Sequence, residues 1–216
     1  MKKTILLSLF VIICSLGSVA GEDAKFVKAM ESALAVVHSS KTVEEIQQAV
    51  NQLERIATAE PKEWLPVYWA SYCYTNMAFM EEEVVRKDQL LDQADKFLQK
   101  AEALQANNDE VLVMRAYIAQ GRISIDGQNR FPTYGPVFQE SLARAKQINP
   151  ENPRIYVLEG QMLYYTPAAF GGGKATACPK LKMAIDKYTS FKPSSSISPN
   201  WGIENAEYLY ASCNGK

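Results

Sequence analysis

One spacing recurs along this chain. Ala94, Leu98 and Ala101 lie four and then three residues apart; Phe138, Leu142 and Ala145 repeat the interval, and Ala177, Leu181 and Ala184 repeat it again. An earlier copy reads Ala49, Leu53, Ile56 and stops at Pro61, as the third copy stops at Asn149-Pro150. Offsets of four and three place all three positions on one face of a helix. Upstream of each copy lies a second apolar-periodic stretch with a small residue at its centre: Ala33, Ala70, Ala116 and Gly160, separated by 37, 46 and 44 residues. Self-similarity at that period predicts helical hairpins stacked side by side, an open array whose last unit needs a cap.

The pattern places hairpins over residues 24–59, 62–106, 110–149 and 153–192, and a C-terminal capping helix over 203–213. Thr42-Val43-Glu44-Glu45 reads as a capping box opening the second helix. Pro66 is tolerated in the first turn of the third helix, which has no amide bond to lose there. Asp88 is a candidate cap for the fourth. Residues 126–136, dense in Asp, Gly, Asn and Pro, read as a loop before a return helix over 137–148. The expected fold is all-α: a superhelix of about four hairpins with long turns inside the repeats.

The Ala-x-x-x-Leu-x-x-Ala pattern, with proline five residues after Ala145, resembles the second helix of tetratricopeptide repeats. The match departs in length, since such repeats have 34 residues, and each signature series is degenerate here. Further strings carry a closer likeness: Pro61-Lys62-Glu63-Trp64-Leu65-Pro66, Tyr134-Gly135-Pro136, Asn152-Pro153-Arg154, Phe170-Gly171-Gly172-Gly173-Lys174 and Pro199-Asn200-Trp201-Gly202. They resemble exported tetratricopeptide proteins common in Bacteroidetes. The Phe-Gly-Gly-Gly-Lys segment is also similar to the helical T component of some periplasmic solute transporters. These resemblances imply a fold and a compartment rather than a reaction.

The N-terminus fits that compartment. Lys2 and Lys3 precede an apolar run over residues 5–16 and then Ser18-Val19-Ala20. That is the anatomy of a secretory leader cleaved after residue 20, leaving 21–216 as one repeat domain. Bulky Ile13 before Cys14 argues against lipoprotein processing, so the expected location is the periplasm. Removing the leader takes two of the 23 basic residues, leaving 21 against 24 acidic ones and a net charge of −3. This balance, with no basic cluster, excludes a nucleic-acid footprint, and no mature stretch is long and apolar enough to span a membrane.

Of the three remaining cysteines, Cys73 lies in an apolar helix and reads as buried. Cys178 and Cys213 are the candidate disulfide, a question of Cα spacing that sequence leaves open. No ligand-spaced cluster predicts a metal, no cofactor motif is present, and no nucleophile–base pattern predicts an enzyme. Gly171-Gly172-Gly173-Lys174 lacks the strand and spacing of a phosphate loop and reads as a turn. Arg122 and Arg130, with Asp126 and Tyr134 between and after them, read as an ion-pair network or as a two-arginine carboxylate site.

The inner surface is the expected working face. With Ala70, Ala116 and Gly160 at the packing seam, the residues one turn on are Ser71 and Tyr74, Tyr117 and Gln120, Gln161 and Tyr164. Tyrosine and glutamine offer contact area with a polar handle. The leading expectation is a scaffold gripping an unidentified envelope protein or peptide on its concave face. The alternative is a small-molecule-binding accessory protein of a periplasmic transport system, with Tyr74, Tyr117 and Tyr164 lining a closed pocket.

Overall fold

Thr42 shows why the helices start where they do. Its hydroxyl accepts from the Glu45 amide while the Glu45 carboxylate accepts from the Thr42 amide, a reciprocal cap. The computed structural model in which this is seen describes residues 19–214, with side chains from 24 to 213. The charged and apolar parts of the predicted leader, and Cys14, lie outside the described residues.

Among the described residues nine α-helices follow in order: α1 (Val19–Ser39), α2 (Val43–Ala59), α3 (Leu65–Met80), α4 (Val84–Leu104), α5 (Asp109–Ile125), α6 (Gly127–Ile148), α7 (Pro153–Tyr165), α8 (Lys174–Ser190) and α9 (Ile203–Ala211). The fold is all-α. Helices α1–α2, α3–α4, α5–α6 and α7–α8 pair as hairpins, and α9 packs on α7 and α8. No described helix is long and apolar enough to cross a membrane.

The recurring seam is the core. Ala49, Leu53, Ala94, Leu98, Ala101, Phe138, Leu142, Ala145, Ala177, Leu181 and Ala184 are all buried, as are Ala33, Ala70 and Ala116. Gly160 occupies the fourth small position for a steric reason. A Cβ there would sit 2.7 Å from Leu181 Cδ2 and 3.2 Å from the Leu181 amide nitrogen. The backbones of α7 and α8 therefore approach as the repeat pattern requires.

Two local expectations are corrected. Residues 127–136 are helical, so α6 runs for 22 residues and contains Pro132 and Pro136. Asp126 alone separates it from α5 and caps it by accepting from the Asn129 amide. Packing along the whole of α5 outweighs the turn-rich composition. The surplus length of the repeats therefore lies largely in the helices rather than in long turns. Asp88 does not cap α4: the Glu83 carboxylate does, accepting from Val85 and Arg86 amides. Trp201 packs over rings of α3 and α5 and is also held by the fourth hairpin through Tyr188 and Arg154.

The chain between α8 and α9 crosses the face made by the first helices of the hairpins, the side read as concave. The Trp69 indole on α3 donates to the Ile197 carbonyl at 2.9 Å, and Ser196 donates to Glu31 on α1 at 2.7 Å. Ile197, Ser198 and Trp201 are buried there. Cys178 and Cys213 are joined as a disulfide with Cα atoms 6.0 Å apart, tying the end of the chain to α8.

Candidate functional site

Helix α3 carries Tyr72, Asn76, Phe79 and Met80 at offsets of four, seven and eight, so they share a face. That face meets Tyr117 of α5 and Trp201 of the crossing segment. The rings form a continuous row: Tyr72 to Trp201 at 5.2 Å, Trp201 to Tyr117 at 5.1 Å, Tyr117 to Phe79 at 5.2 Å. Trp69 meets Tyr72 edge-on at 5.4 Å, and His38 meets Trp69 edge-on at 5.8 Å. Beside the row opens a cleft of about 160 Å³ lined by Tyr72, Asn76, Tyr117, Val157, Gln161, Trp201, Gly202, Glu204 and Asn205.

Its geometry is imposed from below. The Trp201 indole donates to the Tyr68 hydroxyl at 2.9 Å, and its carbonyl accepts from the Tyr188 hydroxyl at 2.5 Å. The Arg154 guanidinium lies 5.9 Å from the Trp201 ring and 4.7 Å from Phe191. Arg154, 1% exposed, makes a two-pronged pair with Glu110, which also accepts from Asn152 at 2.7 Å. Gly202, at φ 111, turns the backbone so that Glu204 enters the first turn of α9 beside the cleft. A Cβ on Gly202 would also meet the Tyr188 hydroxyl at 2.8 Å.

The lining is aromatic with amide acceptors. The Tyr117 hydroxyl donates to Asn76 Oδ1 at 3.0 Å, and the Asn76 amide donates to the Tyr72 carbonyl at 2.9 Å. Gln161 Oε1 is buried with no hydrogen-bond partner among the described residues. Burial pushes the Tyr72 and Tyr117 hydroxyls above the ordinary tyrosine pKa, so both stay protonated at neutral pH. Burial lowers the pKa of His38, opposed by the nearby Glu204 carboxylate. Among the described residues no cluster of His, Cys, Asp and Glu is suited to a metal.

The six residues expected on the inner face do not converge. Tyr117 and Gln161 line the cleft. Gln120 is buried with Oε1 unpartnered. Ser71 faces α4, donating to the Ala94 carbonyl at 2.9 Å. Tyr74 lies between α2 and α4, bonded to Glu54 and stacked on Phe97. Tyr164 sits at the far end, bonded to Ser212. Tyr74, Tyr117 and Tyr164 thus bond to different partners, Glu54, Asn76 and Ser212. On α3 the cleft-facing residues are Tyr72 and Asn76, one and two positions beyond Ser71 and Tyr74, and the aromatic density of α3 was their one signal.

Arg122 and Arg130 are engaged within the protein. Arg122 binds Asp88, Asp92 and Asp95 on α4, and Arg130 grips Asp88 through both guanidinium nitrogens at 2.7 Å. They bind α4 to α5 and α6. A broader, shallow depression of about 460 Å³ at Asn51, Glu54, Arg55 and Thr58 is lined by α2 alone.

Comparison with known proteins bears on this site. No family model matches the chain, and none of the curated proteins matches it. Among solved structures it is similar to the HusA haemophore from Porphyromonas gingivalis, with a TM-score of 0.78 and 31% sequence identity over 94% of this chain and 96% of that one. A haemophore is a binding protein rather than an enzyme.

Proposed function

Since the chain belongs to the family of the HusA haemophore, we propose that it is an exported binding protein for a planar tetrapyrrole such as haem, working in the cell envelope or outside it. The observation that carries this reading is the ring row of Tyr72, Trp201, Tyr117 and Phe79 beside an open cleft. Aromatic faces are matched to a flat, apolar macrocycle, since offset stacking adds about 0.5–1.5 kcal/mol per pair beyond area burial. The cleft holds part of such a ligand, as sites for drug-sized molecules run to roughly 300–1,000 Å³. The remainder would lie over Phe79 and Met80, 39% and 45% exposed at the open end of the row.

The polar groups favour recognition of the ring over recognition of iron. The Tyr117 hydroxyl is already engaged with Asn76, and the one histidine is outside the cleft lining. A peptide groove along all four hairpins is less well supported, because the chain's own crossing segment lies over α1 and α3. The reading is tested by titrating the purified protein with haemin and with metal-free protoporphyrin while following tryptophan fluorescence and the porphyrin Soret band. Saturable binding of both within a few-fold is expected. Binding of neither overturns the reading, and binding of haemin alone overturns ring-face recognition.

A further inference from the structure

The three most exposed large apolar side chains described are all aromatic, and all belong to the end of the molecule formed by the fourth hairpin and its cap. Phe170 is 80% exposed, Tyr208 77% and Tyr165 70%. Tyr165 closes α7 and packs edge-on against Tyr164 at 5.2 Å. Tyr208 of α9 lies one helical turn before Ser212, whose hydroxyl is 2.9 Å from that of Tyr164, so α9 brings Tyr208 to the same end of the molecule. Phe170 ends the short 3-10 turn after α7, and that turn folds back through the Gly173 amide, bonded to the Leu163 carbonyl at 2.8 Å. Soluble proteins seldom leave such side chains together without a use for them.

A cation completes the cluster. Lys174 Nζ lies 5.9 Å from the Tyr164 ring and donates to the Ser212 carbonyl at 3.1 Å. Lys180, Lys182 and Lys187 each pair with a carboxylate, whereas Lys174 pairs with none among the described residues. The cleft at Trp201 has the opposite character: it is aromatic but carries the Glu204 carboxylate and no cation. A carboxylate on a planar ligand is complemented by Lys174, whereas in the cleft it has to point away from Glu204.

We propose that Tyr165, Phe170 and Tyr208, with Lys174 at their edge, form a second binding surface for planar aromatic carboxylates, separate from the Trp201 cleft. The ligand class rests on the tetrapyrrole reading given above. The surface takes the ring face by stacking and one carboxylate by ion pairing, and it is fully open, so it suits capture and transfer more than storage.

The test uses metal-free protoporphyrin and its dimethyl ester, kept dilute enough to be monomeric. The purified protein is expected to bind two equivalents of the diacid. A variant combining Tyr165→Ser, Phe170→Ser and Tyr208→Ser, all at exposed positions, is expected to bind one with unchanged circular dichroism. Lys174→Ala is expected to weaken the second equivalent of the diacid by about tenfold, the scale of one charge-assisted hydrogen bond, and to leave the ester unaffected. One equivalent in the wild type that survives the triple substitution overturns the surface and leaves the cleft standing. One equivalent that the triple substitution removes supports the surface and overturns the cleft. No saturable binding overturns both. Wild-type dimerisation, or pelleting with phosphatidylcholine vesicles, that the triple variant abolishes at unchanged porphyrin stoichiometry overturns the assignment and gives the patch to a second copy or to lipid.

Discussion

The indole nitrogen of Trp201 donates to the hydroxyl of Tyr68 across 133 positions of sequence, at 2.9 Å. That bond fixes the crossing segment to α3 and sets the ring that roofs the cleft. Tyr68 in turn lies within 3.4 Å of Glu110, so the cleft is coupled to the buried Arg154–Glu110 pair.

Trp201→Ala removes a large ring from a buried position. It is expected to lower stability by about 3–5 kcal/mol, the usual cost for an aromatic truncated to alanine in a core. Urea denaturation followed by circular dichroism measures this. Trp201→Phe keeps most of the ring and loses the bond to Tyr68, so its cost should be nearer 1 kcal/mol. An equal loss in both variants would place the energy in the hydrogen bond rather than the packing.

Arg154 and Glu110 should be strongly non-additive. Arg154→Met leaves the Glu110 carboxylate buried beside Asn152 with its main partner gone, at an expected cost of about 3–5 kcal/mol. Adding Glu110→Gln should recover part of it, because the uncompensated charge is then removed. A double-mutant cycle decides, and additive losses would show that the two groups are not coupled.

Asp88 predicts a pH dependence. A hydrogen bond from Arg130, and then one from Arg122, hold its carboxyl below the ordinary range, against the opposing effect of burial. The folded state therefore binds this proton less readily than the unfolded state. The stability it contributes is full above the unfolded carboxylate pKa of about 3.9 and is lost as pH falls through the lower folded value. Asp88→Asn should cost about 1–2 kcal/mol at neutral pH and flatten the acid limb of the stability profile below about pH 4. Thermal melts between pH 2 and pH 7 compare the two slopes.

Reducing the Cys178–Cys213 bridge releases a loop closed over 35 positions. The chain-entropy relation gives a loss of about 3–4 kcal/mol. Cleavage near α9 by a dilute protease should appear first, since that helix is held to α8 by the bridge and by packing. Cys73, buried and with its thiol pKa pushed up to about 12, should stay unmodified by iodoacetamide until the protein unfolds. Rapid native-state labelling of Cys73 would contradict its burial.

The legible part of this protein is the part governed by local periodicity. Ala94-Leu98-Ala101 and its copies marked buried helix faces because burial of a helix stripe depends only on residues three and four apart. Thr42 with Glu45 marked a helix start because caps are local as well. Residues 126–136 misled because turn composition there is outweighed by contacts with α5 and α4, and no window of neighbouring residues contains those partners. The register on α3 slipped for a related reason. A helix buried on nearly every side has almost no amphipathic signal, so Tyr72 could not be told from Ser71 or Tyr74 by pattern.

What the sequence by itself determined, then, is a stack of helical hairpins with a small-residue seam and an end cap. These follow from helix geometry and from the closeness that alanine and glycine permit. Tertiary structure alone decided where a ligand could lie. Only the folded chain brings residues 192–202 back over α1 and α3, sets Trp201 between Tyr72 and Tyr117, and lays Lys174 by Tyr164 and Ser212. Each of these depends on pairings between residues distant in sequence, and no periodicity records them.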